Sequence, residues 1–231
     1  MTVSIAIDGP AGSGKSSAAK GLARRLGIEY IDTGAMYRAI AWWMLTNGVD
    51  VDDPARVAEH AADPEIVIGG DPDHPIVEVD GVDVTGPIRE SSVSDAVSRV
   101  SAVAQVRHRL VEVQREMVAR AHRSGRGVVM EGRDIGTVVL PDATVKVFLT
   151  ADVDVRASRR AAENQQRDNS SADSERHLQA ARANLVDRDS TDSSRAVSPL
   201  VKADDAVEID ATSMTLDEVI DTIAALVPRE G

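Results

Sequence analysis

The sequence predicts an α/β protein built around a doubly wound parallel sheet. Strand-like apolar runs alternate with helical patterns over most of the 231 residues, and this alternation is typical of parallel sheets covered by helices. Two of the runs, RGVVMEG and ATVKVFLTA, are almost continuously apolar, as expected of strands that are buried on both faces. Ligands of such folds bind at the carboxyl ends of the strands, so we expect the functional residues there.

The N-terminal segments follow this strand–helix alternation. The run TVSIAID is predicted to be a buried strand, and the helix after the glycine-rich turn ends at Gly27. IEYID is a second short strand, and the next helix begins at Thr33 and stops at Gly48. Asp53 caps a short third helix whose first position is Pro54.

The alternation breaks over residues 64–88, where short β-rich runs replace the helical patterns. EIVIG, PIVEV and VDV are separated by GDPDHP and by the dipeptide Asp80-Gly81. An Asp-Gly pair between such runs favours a β-hairpin, because hairpin turns need residues that tolerate positive φ. We therefore predict a small antiparallel β insert at 64–88.

The second half of the chain returns to helices and strands. One helix is predicted near residues 90–99, and the next carries apolar core residues at spacings of three and four: Val103, Val106, Leu110, Val113 and Met117. The remaining predicted elements are strands at 126–132 and 143–151, a polar helix and loop at 152–175, a helix at 176–190, a strand at 206–210 and a helix at 215–227.

Composition and charge narrow the classes of function. No apolar run approaches the roughly 20 residues that span a bilayer, cysteine is absent, and the N-terminus runs directly into a strand-like segment. We therefore expect one compact cytoplasmic unit that is not a membrane protein. The net charge of −12 argues against nucleic acid as a partner, because binding it normally needs a broad basic field. The histidines show no metal-ligand spacing, so no zinc site is predicted.

Residues 9–16, GPAGSGKS, match the pattern G-x-x-x-x-G-K-[ST] and lie between a predicted strand and a predicted helix, as this motif requires. The glycines let backbone N–H groups surround a phosphate, and the helix adds its positive dipole end. Lys15 would reach the β- and γ-phosphates, and the Ser16 hydroxyl would ligate Mg²⁺. The predicted triphosphate-binding residues are Gly9, Pro10, Ala11, Gly12, Ser13, Gly14, Lys15, Ser16 and Ser17.

The phosphoryl acceptor must be inferred from other residues, because this loop serves GTPases, motors and kinases alike. The chain has no N-K-x-D segment of the kind that reads guanine. A phosphate acceptor needs arginines rather than a base, since its oxygens are largely ionised at neutral pH. Candidate arginines, each of which could also be a solvated surface charge, are Arg38, Arg107, Arg133, Arg156, Arg159, Arg160, Arg188 and Arg195.

Several segments resemble those of bacterial cytidylate kinases, in the nucleoside monophosphate kinase group of P-loop proteins. They are IAIDGPAGSGKS, YIDTGAMYRA, GRDIGTVVLPDA with VKVFLTA, and RAVSPLVKADDAVEIDAT. These segments follow the family's order over nearly the whole chain, and D-T-G-A-M-Y-R together with G-R-D-I-G-T-V-V is specific. The resemblance implies transfer of the γ-phosphoryl group of ATP to CMP or dCMP by a monomer that uses Mg²⁺.

The resemblance also implies roles for individual residues. Those around the cytosine are Thr33, Ser98, Arg107 and Asp134. Those that hold the acceptor phosphate are Arg38, Arg133 and Arg195, while Arg188 and Asp192 approach the ribose. Catalytic charge stabilisation is assigned to Lys15, Arg133, Arg156, Arg160 and Arg195, and the lid carries Arg156, Arg159 and Arg160. Glu131 stands where many family members have Asp, and its longer arm would reach the Mg²⁺ shell through a different water geometry.

The domain organisation implied by the resemblance is a single unit over 1–231. Its P-loop core comprises 1–32, 101–150 and 176–231, its NMP-binding region comprises 33–100 with the β insert at 64–88, and its helical lid comprises 151–175. Two other functions stay open at this point. One is a P-loop kinase of another small metabolite, and the other is a nucleotide-dependent switch that has lost phosphoryl transfer.

Overall fold

The fold is given by a computed structural model that describes residues 2–168, 174–195 and 197–228. The strands are β1 (Ser4–Asp8), β2 (Glu29–Asp32), β3 (Ile66–Ile68), β4 (Val77–Val79), β5 (Val82–Asp83), β6 (Val128–Gly132), β7 (Val145–Thr150) and β8 (Val207–Asp210). The α-helices are α1 (Lys15–Leu26), α2 (Thr33–Thr46), α3 (Pro54–Glu59), α4 (Ser91–Ala102), α5 (Ala104–Arg123), α6 (Val153–Asp168), α7 (Ser174–Ser194) and α8 (Leu216–Ala225).

A parallel sheet with the order β2-β6-β1-β7-β8 lies at the centre of the protein. Ile5 of β1 pairs with Val129 of β6 on one side and with Val145 of β7 on the other. From β1 the chain passes first to β2 on one side and later to β7 and β8 on the other, so the connections diverge beside the carboxyl end of β1. The predicted doubly wound sheet is confirmed, and this divergence point is where such folds bind ligands.

Helices cover both faces of the sheet, and alternate strand residues contribute to two separate cores. Ile5 and Ile7 pack with apolar residues of α1 and α8, whereas Ala6 packs with residues of α2, α4 and α5. This alternation follows from the period of two in a β-strand. The predicted core face of α5 is buried at Leu110 and Val106, which fixes α5 against the sheet.

A three-stranded antiparallel sheet, β3-β4-β5, forms the predicted insert. Its hairpin turns at Asp80 and Gly81, both with positive φ, at 51° and 77°. The Asp80 carboxylate accepts hydrogen bonds from the Trp43 indole N–H at 2.7 Å and from the Glu65 backbone N–H at 2.8 Å. The turn residue therefore joins the insert to helix α2.

Helix α7 and the segment after β6 differ from the sequence prediction. Helix α7 continues to Ser194 rather than ending at residue 190, so that Asp192 lies on the helix. A π-helical turn over Ile135–Val139 was not predicted; it forms because the Asp8 carboxylate accepts from the backbone N–H groups of Ile135 and Gly136, at 2.8 and 2.7 Å. Part of the predicted polar loop, residues 169–173, lies outside the described ranges. None of the described helices is long and apolar enough to cross a membrane.

Candidate active site

The phosphate loop connects the carboxyl end of β1 to the N-terminus of α1. Gly9 sits so close to β7 that an added Cβ would lie 2.0 Å from the Leu149 carbonyl oxygen. Gly14, with φ of 96°, is the N-cap residue of α1. Because glycine has no side chain, it donates or accepts no side-chain capping hydrogen bond, and the first turn of α1 carries no acidic residue. The backbone N–H groups of this turn and the positive end of the helix dipole suit an anion.

Lys15 is the buried cation of this loop. Its Nζ donates to the Pro10 carbonyl oxygen at 2.7 Å, which holds the ammonium against the inside of the loop. Burial, with the nearby Arg133 guanidinium, lowers the pKa of Lys15 to about 7 in the ligand-free protein, although Glu131 and Asp8 act in the opposite direction. A bound polyphosphate would favour the charged form of this side chain.

Glu131, at the end of β6, lies beside the Ser16 hydroxyl and forms a hydrogen bond with it. The Tyr30 hydroxyl donates to Glu131 Oε1 at 2.7 Å, and the Thr33 hydroxyl donates to the Glu131 backbone carbonyl at 2.7 Å. Burial and the Asp32 carboxylate raise the pKa of Glu131. A hydroxyl and a carboxylate beside a phosphate loop are oxygen donors of the kind that Mg²⁺ takes together with phosphates and waters.

Larger acidic or histidine clusters of the metal-binding type do not occur among the described residues. The Ser16 hydroxyl and the Glu131 carboxylate are oxygen donors that fit a Mg²⁺ ion sharing its coordination with phosphates and waters. The longer arm of Glu131 places its carboxylate against Tyr30 and Ser16, and its part in a Mg²⁺ shell stays a prediction.

Arg107 and Asp134 form a buried ion pair. Arg107 Nη2 donates to Asp134 Oδ2 at 2.7 Å, and both side chains are at most 5% exposed. Arg107 Nη1 also donates to the Ser101 carbonyl oxygen at 3.2 Å, and the guanidinium carbon lies 5.1 Å from the centre of the Tyr37 ring. This pair combines a fixed donor and a fixed acceptor, which are the groups that read the edge of a base.

Asp192 of α7 holds two of the candidate phosphate-binding arginines. It accepts from Arg133 Nε at 2.8 Å and is paired with Arg195, whose Nη2 donates to the Ser101 hydroxyl at 3.0 Å. Burial opposes ionisation of Asp192, but the charges of Arg133 and Arg195 outweigh it, and the pKa of Asp192 is lowered. The two guanidiniums are thus oriented before any ligand binds.

Two cavities meet at the phosphate loop. The first is lined by all the residues assigned to the acceptor nucleotide: Thr33, Arg38, Ser98, Arg107, Arg133, Asp134, Arg188, Asp192 and Arg195. The second is lined by loop residues Gly12 to Ser17 and by apolar residues of β7 and α8, including Leu149 and Val219. Both cavities share Gly12, Lys15, Ser16 and Arg160. Lys15 and Arg160 therefore lie where two ligands would meet.

A smaller cavity beside the first is lined mainly by arginines: Arg38, Arg89, Arg160 and Arg188, with Ser94 and Val97. Burial lowers the pKa of Arg188 to about 10, and the charge of the nearby Arg133 acts in the same direction. Such a group of guanidiniums is suited to an oxyanion.

Several polar residues around the site were not assigned roles by the sequence analysis, among them Asp8, Asp32, Tyr37, Arg89 and Asp189. Asp8 and Asp32 end β1 and β2, and the carboxyl ends of strands were the available signal. Asp32 caps α2 by accepting from the Ala35 N–H, and Arg38 Nη2 donates to it at 3.3 Å. Burial raises the pKa of Asp8 to about 6. Arg89 and Asp189 come close to the site only through the fold.

Arg156 was assigned to catalysis, but its guanidinium lies beneath the phosphate loop. Its Nε donates to the Ala151 carbonyl at 3.0 Å and its Nη1 to the Ala11 carbonyl at 2.9 Å. Of the described lid arginines, Arg159 and Arg160 line the second cavity.

Comparison with known proteins gives the family. The cytidylate kinase family model matches residues 5–229. The cytidylate kinase of Streptomyces avermitilis is 51% identical over 228 residues, covering 99% of this chain and 94% of the relative. That of Nocardia farcinica is 46% identical over 226 residues, covering 98% of this chain and 94% of the relative. The match extends over the phosphate loop and every acceptor-cavity residue named above, and the chain therefore belongs to the cytidylate kinase family.

Proposed function

We propose that this protein transfers the γ-phosphoryl group of ATP to CMP or dCMP, giving CDP or dCDP and ADP. The single observation that carries the proposal is the junction of the two cavities. Gly12, Lys15, Ser16 and Arg160 line both, so a triphosphate on the loop and a nucleotide in the first cavity would meet at these residues. Membership of the cytidylate kinase family supports this choice of substrates.

The proposed reaction is a direct transfer between phosphates. An oxygen of the CMP phosphate attacks the γ-phosphorus, the bond from the γ-phosphorus to the β–γ bridging oxygen breaks, and ADP leaves with that oxygen. The attacking oxygen is already largely ionised at neutral pH, so no general base is needed. A hydroxyl acceptor would need such a base, and the surplus of guanidiniums around the cleft favours an ionised phosphate instead.

The site residues would act mainly by positioning and by stabilising charge. Lys15 and the loop N–H groups bind the β- and γ-phosphates, while Arg133, Arg160 and Arg195 stabilise the charge shared by the two substrates. Mg²⁺, held by Ser16 and Glu131, would neutralise charge on the β- and γ-oxygens when it is bound. Arg38 would join Arg133 and Arg195 on the acceptor phosphate, and the arginine-lined cavity adds Arg89 as a further neighbour of that phosphate.

Cytosine and ribose would occupy the deep end of the first cavity. The Asp134 carboxylate can accept from the cytosine amino group, and Arg107 can donate to ring acceptors. Thr33 and Ser98 complete the edge of this base pocket. Arg188 and Asp192 are placed to contact the ribose, and Asp192 also holds the two phosphate-binding arginines in place.

The segmentation into a core, an NMP-binding region over 33–100 and a lid over 151–175 is part of this proposal. We also propose a monomeric, cytoplasmic enzyme whose partners are small nucleotides. The net charge of −12 supports the view that neither nucleic acid nor a membrane surface is a partner, because both are polyanionic.

A product analysis tests the proposal. The protein is incubated with ATP and Mg²⁺ and with either CMP or cytidine, and products are identified by ³¹P NMR. We expect CDP and ADP from CMP and no phosphorylated product from cytidine. Formation of CMP from cytidine would indicate a hydroxyl acceptor, and ATP binding without any diphosphate product would indicate a nucleotide-dependent switch.

A further inference from the structure

The tip of the phosphate loop is held by two side chains from outside the loop. The Ala11 backbone N–H donates to Asp189 Oδ1 at 3.0 Å, and the Ala11 carbonyl oxygen accepts from Arg156 Nη1 at 2.9 Å. Arg156 Nη1 and Asp189 Oδ2 are themselves 2.5 Å apart. Both backbone groups of one loop residue are therefore bound by an ion pair, which we call the Ala11 clamp.

Close packing surrounds the clamp. Ala11 forms a small buried cluster with Ala157 of α6 and Leu185 of α7, and Arg156 is only 8% exposed. A Cβ on Gly12 would lie 3.3 Å from the Arg156 Cβ and 3.6 Å from a methyl carbon of Leu185. Helices α6 and α7 thus rest directly on the loop.

The same two helices carry the arginines that face the substrates. Helix α6 supplies Arg160 at the junction of the two cavities, and α7 supplies Arg188 and Asp192 to the acceptor cavity. Asp189 lies next to Arg188 in the sequence but contacts the loop instead of the cavity. The clamp is therefore a polar connection between the loop that would bind the donor phosphates and the helices that line the acceptor cavity.

Charge explains why the clamp is an ion pair rather than a lone carboxylate. A carboxylate that accepts from a loop N–H would repel an approaching triphosphate if it were unpaired. Arg156 cancels that charge and also binds the neighbouring carbonyl, so Asp189 can hold the loop without opposing ATP. Both hydrogen bonds to Ala11 are charge-assisted, at 3.0 and 2.9 Å, and such bonds are stronger than those between neutral groups.

We propose that Asp189 and Arg156 are positioning residues for phosphoryl transfer, which set the tip of the phosphate loop relative to Arg160 and Arg188. This inference rests on the proposed kinase function. Neither side chain needs to touch a substrate; each acts through Ala11. A small displacement of the loop would misalign the γ-phosphate with the attacking oxygen, and such misalignment lowers the rate of transfer more than it weakens binding.

The test compares Asp189→Asn, Arg156→Lys and the double variant with the wild type, with exposed Asp187→Asn on the same helix as the matched control. We expect Asp189→Asn to lower kcat about tenfold or more, with KM for CMP changed by less than about threefold. The kcat of the double variant should lie within about threefold of the kcat of the slower single variant. Both substitutions break the same Ala11 clamp, so their effects should not add. Asp187→Asn should match the wild type.

A second readout does not depend on activity. Hydrogen exchange of the backbone N–H groups in residues 9–17 is measured without nucleotide, and the Ala11 N–H should exchange faster in Asp189→Asn than in Asp187→Asn. Unchanged kcat in Asp189→Asn would overturn the proposal. So would a fall in kcat matched by an equal rise in KM and a lowered melting temperature, since that pattern marks a purely structural role. A wild type without CDP formation would contradict the kinase function, while the exchange data would still decide whether the clamp forms.

Discussion

At the scale of single residues, Lys15 is a cation placed between the two proposed substrates. It is buried, it lines both cavities, and its Nζ is held at 2.7 Å from the Pro10 carbonyl. Lys15→Ala removes the only ammonium placed among the described residues at the cavity junction, so kcat should fall by about two orders of magnitude or more. The measurement is steady-state ADP formation with CMP, alongside a thermal melt. Lys202→Ala, an exposed lysine paired with Glu208, is the control, and near-normal turnover of Lys15→Ala would contradict the assigned role.

The lowered pKa of Lys15 predicts proton uptake on ATP binding. In the free protein its pKa is about 7, so at pH 8 the amine is largely neutral, and the triphosphate must recruit a proton to form the charged pair. ATP affinity should therefore decrease as pH rises through 7 towards 9. Calorimetry of ATP binding at pH 8 in buffers of different ionisation enthalpy measures this uptake. Binding heats that do not depend on the buffer would show that Lys15 is already charged.

The same shift has a consequence for the stability of the ligand-free protein. The folded-state pKa of about 7 lies below the ordinary value of 10.5, so between these values the unfolded chain binds more protons. The contribution of Lys15 to the free energy of unfolding therefore increases as pH rises from 7 to 10.5. Below pH 7 the ammonium is charged in both states, and its destabilising contribution no longer changes with pH.

Asp134 combines a structural role with the proposed recognition of cytosine. Asp134→Ala would leave Arg107 buried without its carboxylate partner, which should lower the free energy of unfolding by about 3–5 kcal/mol. Urea denaturation measures this loss. Asp134→Asn preserves the shape of the side chain, and the ratio of kcat/KM for CMP to that for UMP should fall. Exposed Asp142→Asn is the control, and unchanged selectivity in Asp134→Asn would remove Asp134 from base recognition.

At the scale of elements, the Asp80 side chain adds a polar contact between the β insert and α2, beside the apolar packing of Val77 and Val79 against that helix. Asp80 has φ of 51° and accepts from both Trp43 and Glu65. Asp80→Ala should lower the free energy of unfolding by about 1–2 kcal/mol, because two hydrogen bonds are lost and alanine tolerates positive φ poorly. Asp80→Asn keeps an acceptor oxygen and suits this backbone, so it should remain close to the wild type. Equal stability of the two variants in urea would show that the contact contributes nothing.

The elements also show how far the sequence predicts this fold. Continuous apolar runs were enough to predict β1, β6 and β7, since strands buried on both faces are apolar almost throughout. It was not enough for the end of α7, because Ser190 to Ser194 are poor helix formers and the helix continues where Arg133 and Arg195 bind Asp192. The π-helical turn at Ile135–Val139 depends on Asp8, more than 120 residues away in the chain, and local patterns carry no information about such a contact.

On the scale of the whole molecule, the sheet topology assembles the site from distant segments. The acceptor cavity draws residues from α2, α4, α5, α7 and the end of β6, and the phosphate loop was recognisable from its own pattern. The convergence of the other residues could not be derived from spacing, and only the family resemblance indicated it. Arg89 and Asp189 carry no local signal, since they come close to the site only after the short turn before α4 and helix α7 have packed.

The proposed reaction is transfer of the γ-phosphoryl group of ATP to CMP or dCMP at the junction of the two cavities. The most direct measurement is kcat/KM for ADP formation with ATP and Mg²⁺, taken separately with CMP, dCMP, UMP, AMP and GMP, with the product identified in each case. We predict CDP and dCDP as the main products, with CMP and dCMP at least about tenfold above every other acceptor, a ratio within the range that hydrogen-bond readout of one base can supply. Equal rates for all five acceptors, or ADP formation without a diphosphate product, would contradict the account.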